Sequence, residues 1–447
     1  MKCYDSPIVN LNQTLVTIRE THLDKLAIIP RNEHTISRKS ISEAALKVLY
    51  RLDNSGFRAC LVGGGVRDLL LDKKPKDFDI ATDATPEQVH GLFRNSRIIG
   101  RRFRLVHIRF GREIIEVATF RGHSEESPKT ELNTEGRILR DNTFGEIEED
   151  AIRRDFTANA LYYDINDFSV LDYAHGLRDI EDRILRMIGD PVTRYQEDPV
   201  RMLRAIRFAA KLDFEIEQEA ANAMMECAPL LANIPAARLF DEIVKLFHSG
   251  NACRVLELLR HYQLLKYLVP ALDEWINNDP DESLLDFIDQ ALVNTDIRIN
   301  SEQHVSPAFI FAVLLWPAVH EQAKTLQADK MKPIPALNEA GSQVVSRQVK
   351  HIAIPRRYTQ MAKDIWSMQP RFLRTQGKYP QRLIGFPSFR AGYDFMCIQS
   401  MVGLMPKQLC AWWTEFQVNN KPAESTHRTA PPRTGERRPR RRKRNAS

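Results

Sequence analysis

The chain has 447 residues, of which 64 are Lys or Arg, 58 are Asp or Glu and 6 are Cys. The hydrophobic fraction of 43% and the charged fraction of 27% are near the globular average, so most of the chain can bury a core, and its length predicts several domains. No apolar run approaches the roughly 18 residues of a membrane helix, and residues 1–13 lack the apolar segment of a secretory signal. We therefore expect a cytoplasmic protein of several domains.

The six cysteines are scattered along the chain, and no two of them form a C-x-x-C pair. This spacing argues against a structural zinc site and against a disulfide framework. It is typical of a protein in a reducing compartment.

The net charge of +6 is unevenly distributed. Residues 421–447 contain 10 Lys or Arg and 2 acids, whereas residues 1–420 contain 54 bases and 56 acids. The sequence therefore predicts a near-neutral body with a basic, disordered tail. The densest run of the tail consists of Arg437, Arg438, Arg440, Arg441, Arg442, Lys443 and Arg444.

The first part of the chain predicts a small α/β unit. Residues 1–36 are typical of a loosely structured arm, and the polar residues 122–136 predict a mobile loop. Between these segments, helices are predicted at 44–52, 66–71 and 86–94, and strands at 59–62, 77–81, 104–110 and 113–120. The last two strands form a hairpin. We expect this head domain to span residues 37–185.

The second half is expected to be all-α, because the strand pattern stops after about residue 175. Helices are predicted at 200–211, 217–228, 236–248, 252–261, 281–293, 306–317, 356–367 and 388–402. We divide this half into a helical neck (186–270), a helical body (271–420) and the tail (421–447).

Asp77 and Asp79 lie two residues apart in a predicted strand, so both carboxylates point to the same face. Adjacent carboxylates repel each other unless a cation lies between them. A lone D-x-D pair is usually a solvated strand end. Here Phe78 and Ile80 face the core, which leaves the acids on the open face of a sheet, where two Mg²⁺ ions would assist a phosphoryl transfer.

A glycine turn, Gly63 to Gly65, connects a predicted strand to a helix thirteen or so residues before the acidic pair. Such a turn presents backbone N–H groups to an anion, and Arg67 adds a cation suited to phosphate. The turn by itself is a weak signal. In combination with the D-x-D pair it predicts a nucleotidyltransferase site, to which Glu116 on the hairpin would add a third carboxylate or remain an exposed strand residue.

Two further charged segments follow. Arg153, Arg154 and Asp155 suit a triphosphate and a sugar hydroxyl, or form a surface charge cluster. Arg201, Arg204 and Arg207 follow Asp198 at helical spacing and form a ridge. Asp198 and Arg201 lie one turn apart, so they are expected to pair with each other or to face a base edge.

These motifs occur in the order of a known family. The chain contains LVGGGVRDLLL at 61–71, KPKDFDIAT at 74–82, RRDFTANAL at 153–161, DYAHGLRD at 172–179, EDPVRMLRAIRF at 197–208 and ARLFDEIVKLF at 237–247. In these segments it resembles the bacterial class II nucleotidyltransferases, the family shared by poly(A) polymerases and CCA-adding enzymes. The resemblance implies an α/β catalytic head, similar to that of polymerase β, followed by an all-α neck and body.

The resemblance also implies roles for individual residues. The incoming ATP would be held by Gly63, Gly64, Arg67 and Arg154. Two Mg²⁺ ions would be bound by Asp77 and Asp79, with Asp155 among the catalytic carboxylates. The base of the nucleotide would be met by Asp198, Arg201 and Arg204.

Two features distinguish the branches of the family. Residues 98–107 (IIGRRFRLVH) resemble the segment that marks poly(A) polymerases. The basic tail would give an enzyme acting on many RNA 3′ ends sequence-independent affinity through phosphate contacts. We therefore expect template-independent addition of AMP to RNA 3′ ends with release of pyrophosphate. The alternative is a CCA-adding tRNA nucleotidyltransferase; a non-catalytic RNA-binding protein is disfavoured because Asp77, Asp79 and Asp155 are all present.

Overall fold

The computed structural model describes residues 26–100, 104–122, 130–132, 138–141, 144–278 and 280–420. Most of the predicted N-terminal arm and residues 101–103 of the branch-marking segment lie outside the described residues. The basic tail, with its run at 437–444, lies outside them as well.

The head is built on an eight-stranded sheet with the order β1-β10-β9-β2-β3-β6-β5-β4. Its strands are Ala27–Ile29 (β1), Ala59–Val62 (β2), Asp79–Thr82 (β3), Ser96–Ile99 (β4), Leu105–Phe110 (β5), Glu113–Thr119 (β6), Leu161–Asp164 (β9) and Val170–Asp172 (β10). Neighbouring strands are antiparallel, except that β3 runs parallel to β6. The predicted hairpin is confirmed as β5 and β6.

The core of the head explains why the central strand is apolar along its whole length. All four residues of β2 are buried. Leu61 and Ile80 belong to the main apolar cluster, whereas Cys60 and Tyr162 belong to a separate cluster. A strand with both faces covered needs a continuous apolar run. The head helices are Glu43–Asp53 (α1), Gly64–Leu70 (α2), Pro86–Leu92 (α3), Ile147–Ile152 (α4) and Gly176–Glu181 (α5).

Helices make up most of residues 191–419. Its helices are Pro191–Glu197 (α6), Val200–Leu212 (α7), Gln218–Cys227 (α8), Ala236–Phe247 (α9), Ala252–His261 (α10), Leu265–Leu268 (α11), Pro270–Asn277 (α12), Glu282–Asn300 (α13), Pro307–Ala328 (α14), Pro333–Gln348 (α15), Arg356–Phe372 (α16), Tyr379–Leu383 (α17), Phe389–Met401 (α18) and Lys407–Asn419 (α19). None of the helices in the described ranges is long and apolar enough to cross a membrane.

Several predicted elements differ from the structure. Part of the predicted arm forms the edge strand β1, which pairs with β10. Part of the predicted loop 122–136 forms Thr130–Leu132 (β7), which pairs with Ile138–Asp141 (β8). Strands also continue beyond residue 175, because Ile184–Leu185 (β11) pairs with Glu215–Ile216 (β12). These strands have two to four residues, too few to produce a recognisable alternation in the sequence.

The cysteine prediction also needs a correction. Cys397 in α18 and Cys410 in α19 form a disulfide, with their Cα atoms 4.9 Å apart. The short connection between the two helices folds them against each other and brings the two sulfur atoms together. Cys60, Cys227 and Cys253 are free.

Candidate active site

The acidic pair lies where β3 begins. Asp79 is the first residue of β3, and Asp77 precedes the strand by two residues. The parallel pairing of β3 with β6 places Asp79 in register with Glu116. Asp79 is in contact with solvent at the surface. Desolvation by the surrounding protein, together with Glu116 and Asp77, raises the pKa of Asp79 to about 6. Arg154 acts in the opposite direction and lowers this pKa. Glu116 and Asp77 are therefore the acidic neighbours of Asp79.

These carboxylates suit a magnesium ion that takes some of its ligands from the protein and the others from a substrate and from water. Within the described ranges, no three His, Cys, Asp or Glu side chains approach closely enough to form an all-protein metal site. Mg²⁺ is usually bound by only one or two carboxylates together with waters and substrate phosphates. Glu116 has a partner of its own, because its Oε1 lies 2.9 Å from His107 Nε2.

The glycine turn lies beside Arg154. Gly63 has a φ of +71°, a left-handed conformation that favours glycine, and a Cβ at this position would lie 3.5 Å from Arg154 Nη1. The Gly63 N–H donates to the Leu161 carbonyl at 3.2 Å. It is therefore occupied within the sheet, and the N–H groups that have no intrahelical acceptor are those at the start of α2, beginning with Gly64.

Arg67 is buried behind this turn rather than projecting from it. Its side chain is 2% exposed, and its guanidinium donates to Asp68 and to Asn159. Lys211 of α7 also contacts Asp68, at 3.4 Å. Asp68 therefore orients Arg67, and the contacts of Arg67 are with the protein. A direct contact between Arg67 and a triphosphate remains a prediction.

Arg154 is held by two residues that the sequence analysis did not single out. Its Nη2 donates to Asp150 at 2.8 Å and its Nε donates to the Tyr162 hydroxyl at 2.9 Å. The Tyr162 hydroxyl in turn donates to Asp150 at 2.6 Å. Asp150 precedes Arg154 by four residues, the spacing of side chains that meet on one helical face, so this partner was detectable from the sequence.

Asp155 joins the head to the helical neck. Its carboxylate accepts hydrogen bonds from Arg204 of α7 at 2.7 Å and from Asn159 at 3.1 Å. Burial alone would raise the pKa of Asp155, but Arg204 and Asn159 hold it below its ordinary value. The structure thus brings together Asp155 and Arg204, which were predicted separately. The catalytic role predicted for Asp155 remains a prediction.

The ion pairs at the N-terminal end of α7 differ from the predicted pair of Asp198 with Arg201. Asp198 does not pair with Arg201: its Oδ2 accepts a hydrogen bond from Arg238 of α9 at 2.7 Å. Arg201 donates instead to Glu197, also at 2.7 Å. Glu197 is the last residue of α6 and Arg201 lies in the first turn of α7, so the bend at residues 198–199 places their side chains next to each other. Both base-facing candidates are therefore fixed by ion pairs.

Family models match three parts of the chain. The Poly A polymerase head domain matches residues 59–186, the Probable RNA and SrmB-binding site of polymerase A matches 213–276, and the Polymerase A arginine-rich C-terminus matches 329–446. The first match contains the acidic pair, the glycine turn and Arg154. The third includes the predicted basic tail.

The similar proteins include both branches of the family. Poly(A) polymerase I of Salmonella typhi is 49% identical over 89% of this chain and 87% of the relative. Poly(A) polymerase I of Haemophilus influenzae is 45% identical over 88% of each chain. The CCA-adding enzyme of Bacillus pumilus is 38% identical, but over only 52% of this chain and 56% of the relative.

The solved structures that share this fold include CCA-adding enzymes. The Bacillus stearothermophilus CCA-adding enzyme in complex with CTP has a TM-score of 0.59 at 26% identity, covering 86% of this chain and 83% of that one. A tRNA nucleotidyltransferase complexed with a primer tRNA and an incoming ATP analog has a TM-score of 0.57 at 21% identity, covering 83% and 99%. The similarity to poly(A) polymerases I extends through the helical body, whereas the sequence match to the CCA-adding enzyme covers about half of the chain. The chain therefore belongs to the poly(A) polymerase I family, the nucleotidyltransferases that add AMP from ATP to RNA 3′ ends.

Proposed function

We propose that AMP transfer takes place between the glycine turn, the acidic pair and the start of α7. The observation that carries this proposal is the environment of Asp79. Its pKa is raised by burial and by Glu116 and Asp77, and the cation that opposes this shift is Arg154, which lies beside Gly63. A site for a metal ion and a site for phosphate therefore adjoin each other.

The groups at this site have different roles in the reaction. Asp77 and Asp79 would hold Mg²⁺, which when bound neutralises triphosphate charge and lowers the pKa of the RNA 3′ hydroxyl. The N–H groups after Gly63 bind the triphosphate, and Arg154 stabilises the charge that develops on it. The 3′ oxygen attacks the α-phosphorus in line, the bond to the β-phosphate oxygen breaks, and pyrophosphate leaves.

Nucleotide selection would take place at the start of α7. No template is present, so the protein itself must distinguish the bases. Asp198 offers carboxylate acceptors and Arg201 offers guanidinium donors, and the ion pairs to Arg238 and Glu197 fix both side chains in place. A pre-oriented donor and acceptor pair suits the edge of adenine.

The RNA would extend from this site along the helical half. The match of residues 213–276 to a probable RNA-binding site supports this direction. We further propose that the basic tail, including residues 437–444, adds phosphate contacts, that head, neck and body divide near residues 185 and 270, and that the protein works in the cytoplasm.

Primer extension tests the proposed function. A generic labelled RNA is incubated with Mg²⁺ and either ATP or CTP. The Asp77→Ala variant serves as the blank, and Asp83→Ala, an exposed acid just beyond β3, as the matched control. We expect a ladder with ATP for the wild-type protein and for Asp83→Ala, and none for Asp77→Ala. Equal ladders from all three proteins would remove Asp77 from the site.

The same assay addresses the CCA-adding alternative. Addition limited to two C residues and one A on a tRNA end, with no ATP ladder on generic RNA, would assign the chain to that branch. The coverage of the relatives favours the poly(A) branch, because the similarity to poly(A) polymerases I includes the body.

A further inference from the structure

A surface of the helical body concentrates positive charge. Residues 365–393 contain five basic residues and no acidic residue. They cover the C-terminal end of α16, all of α17 and the start of α18. This stretch lies before the predicted basic tail and belongs to a part of the chain for which the sequence offered no chemical role.

The cations are mounted on a rigid frame. Phe372, Leu383 and Phe389 alternate with them and are buried in an apolar cluster around Trp413. The indole of Trp413 also donates a hydrogen bond to the Phe372 carbonyl at 2.9 Å. Arg371 and Arg382 therefore lie on packed helices, and Arg374 and Lys378 lie in the short connection between those helices.

Aromatic rings lie between the cations. The guanidinium carbon of Arg371 is 5.7 Å from the centre of the Phe386 ring, and that of Arg374 is 5.5 Å from the centre of the Tyr379 ring. Phe386 is 46% exposed, which is unusual for a ring of this size. A guanidinium and an exposed ring together present both a phosphate ligand and a stacking surface.

Most of this charge has no acidic partner among the described residues. Arg390 pairs with Asp394. Within the described parts of the chain, no carboxylate lies within ion-pair distance of the other four cations, Arg371, Arg374, Lys378 and Arg382. An anionic partner is what this surface lacks.

We infer that this basic–aromatic face, formed by Arg371, Arg374, Lys378, Tyr379, Arg382 and Phe386, binds single-stranded RNA upstream of the 3′ end. Regularly spaced phosphates would neutralise the unpaired cations, and a base would stack on Phe386. An acidic protein would neutralise the cations but would not provide a stacking partner for the exposed ring of Phe386. The inference rests on the proposed function in that RNA is the substrate.

The charge contribution is tested in the full-length protein by the triple variant Arg374→Gln, Lys378→Gln, Arg382→Gln. Its matched control is Lys330→Gln, Lys332→Gln, Lys350→Gln, which removes the same charge from exposed positions elsewhere. The affinity for a labelled oligoadenylate of about 20 nucleotides is measured over a series of salt concentrations. The face variant should reduce the slope of log affinity against log salt by about 2, since each phosphate contact contributes about 0.7.

The stacking contribution is tested by Phe386→Ala. We expect affinity to fall about tenfold with an unchanged salt slope, because a stacking contact carries no charge. Val418→Ala, at an exposed apolar position in α19, is the control and should bind as the wild-type protein does. Equal slopes for the two triple variants, or wild-type affinity for Phe386→Ala, would overturn the inference, and the former would direct attention to an acidic protein partner.

The outcome is separable from that of the proposed function. A primer of about five nucleotides is too short to occupy both the active site and a second site of several nucleotides. The face variant should therefore extend it with ATP at the wild-type rate. Failure of the wild-type protein to extend any primer would refute the proposed function, whereas equal RNA binding by both triple variants would refute only the basic–aromatic face.

Discussion

Charged side chains are arranged differently in the head and in the C-terminal helices. In the head, acids and bases form ion pairs with each other: Arg154 with Asp150, and Asp155 with Arg204 from the neck. On the basic–aromatic face, Arg374 and Lys378 are exposed and have no ion pair with a described residue. Paired, buried charges fix geometry for chemistry, whereas exposed, unpaired charges attract a polyanion of any sequence. The head thus contains a site whose geometry must be accurate for the reaction, whereas the proposed role of the basic–aromatic face is only to hold RNA.

The largest effect is expected at the acidic pair. Asp77→Ala should lower AMP incorporation at least about 10³-fold, because a metal ligand supplies several kcal/mol of transition-state stabilisation. Single-turnover extension with saturating ATP measures the rate. The triple variant of the basic–aromatic face should keep its rate on a short primer. A comparable loss of rate in both variants would break the proposed division between the two regions.

A loss of stability is expected where the head and neck meet. Arg204→Met leaves the carboxylate of Asp155 buried without its cation and should cost about 2 kcal/mol in the free energy of unfolding, less than a fully buried pair because Arg204 is partly exposed. The matched control is Arg183→Met, whose partner Asp213 is 87% exposed. That variant should lose at most about 0.5 kcal/mol in denaturant unfolding. Equal losses would mean that the Asp155–Arg204 pair behaves as a surface contact.

A change in nucleotide choice is expected at the start of α7. Arg201→Ala removes a donor that Glu197 holds in position, and the preference for ATP over the other nucleotides should fall roughly tenfold. The ratio of kcat/KM for ATP to that for CTP measures this preference. An unchanged preference at a normal rate would remove Arg201 from the role of reading the base.

The smallest effect is expected in the pH dependence of stability. The folded pKa of Asp79, about 6, lies above its ordinary value of 3.8, so the native state binds this proton more tightly than the unfolded state does. Stability from this group is therefore present below about pH 4 and is lost as the pH rises through about 6. We expect a loss of about 1 kcal/mol, reduced by solvent screening, in unfolding experiments with a chelator. Mg²⁺ should diminish this loss of stability. Subtracting the pH dependence measured for Asp79→Asn isolates the contribution of the Asp79 carboxyl. A contribution that becomes more stabilising as the pH rises from about 4 to about 6 would contradict the assignment.

The glycine turn and the helix after Asp198 were predicted correctly from the sequence. The D-x-D pair, the glycine turn and the helix after Asp198 are each set by residues within a few positions of one another. Partners distant along the chain were not predictable, since nothing local indicates that Asp198 pairs with Arg238, forty positions away, or that Asp155 meets Arg204. The same reason explains why the edge strand β1 was missed. Its three residues become a strand only because β10 offers free hydrogen-bonding groups.

The most direct test of the account compares Asp79→Asn with the wild-type protein in two measurements on the same metal-free preparation: the melting temperature at neutral pH, and AMP incorporation after Mg²⁺ is added. Asp83→Asn is the control. If the carboxylate of Asp79 serves the reaction rather than the fold, Asp79→Asn will be inactive and at least as stable as the wild-type protein. An Asp79→Asn protein that extends RNA at the wild-type rate, or that melts well below the wild-type protein, would contradict the account.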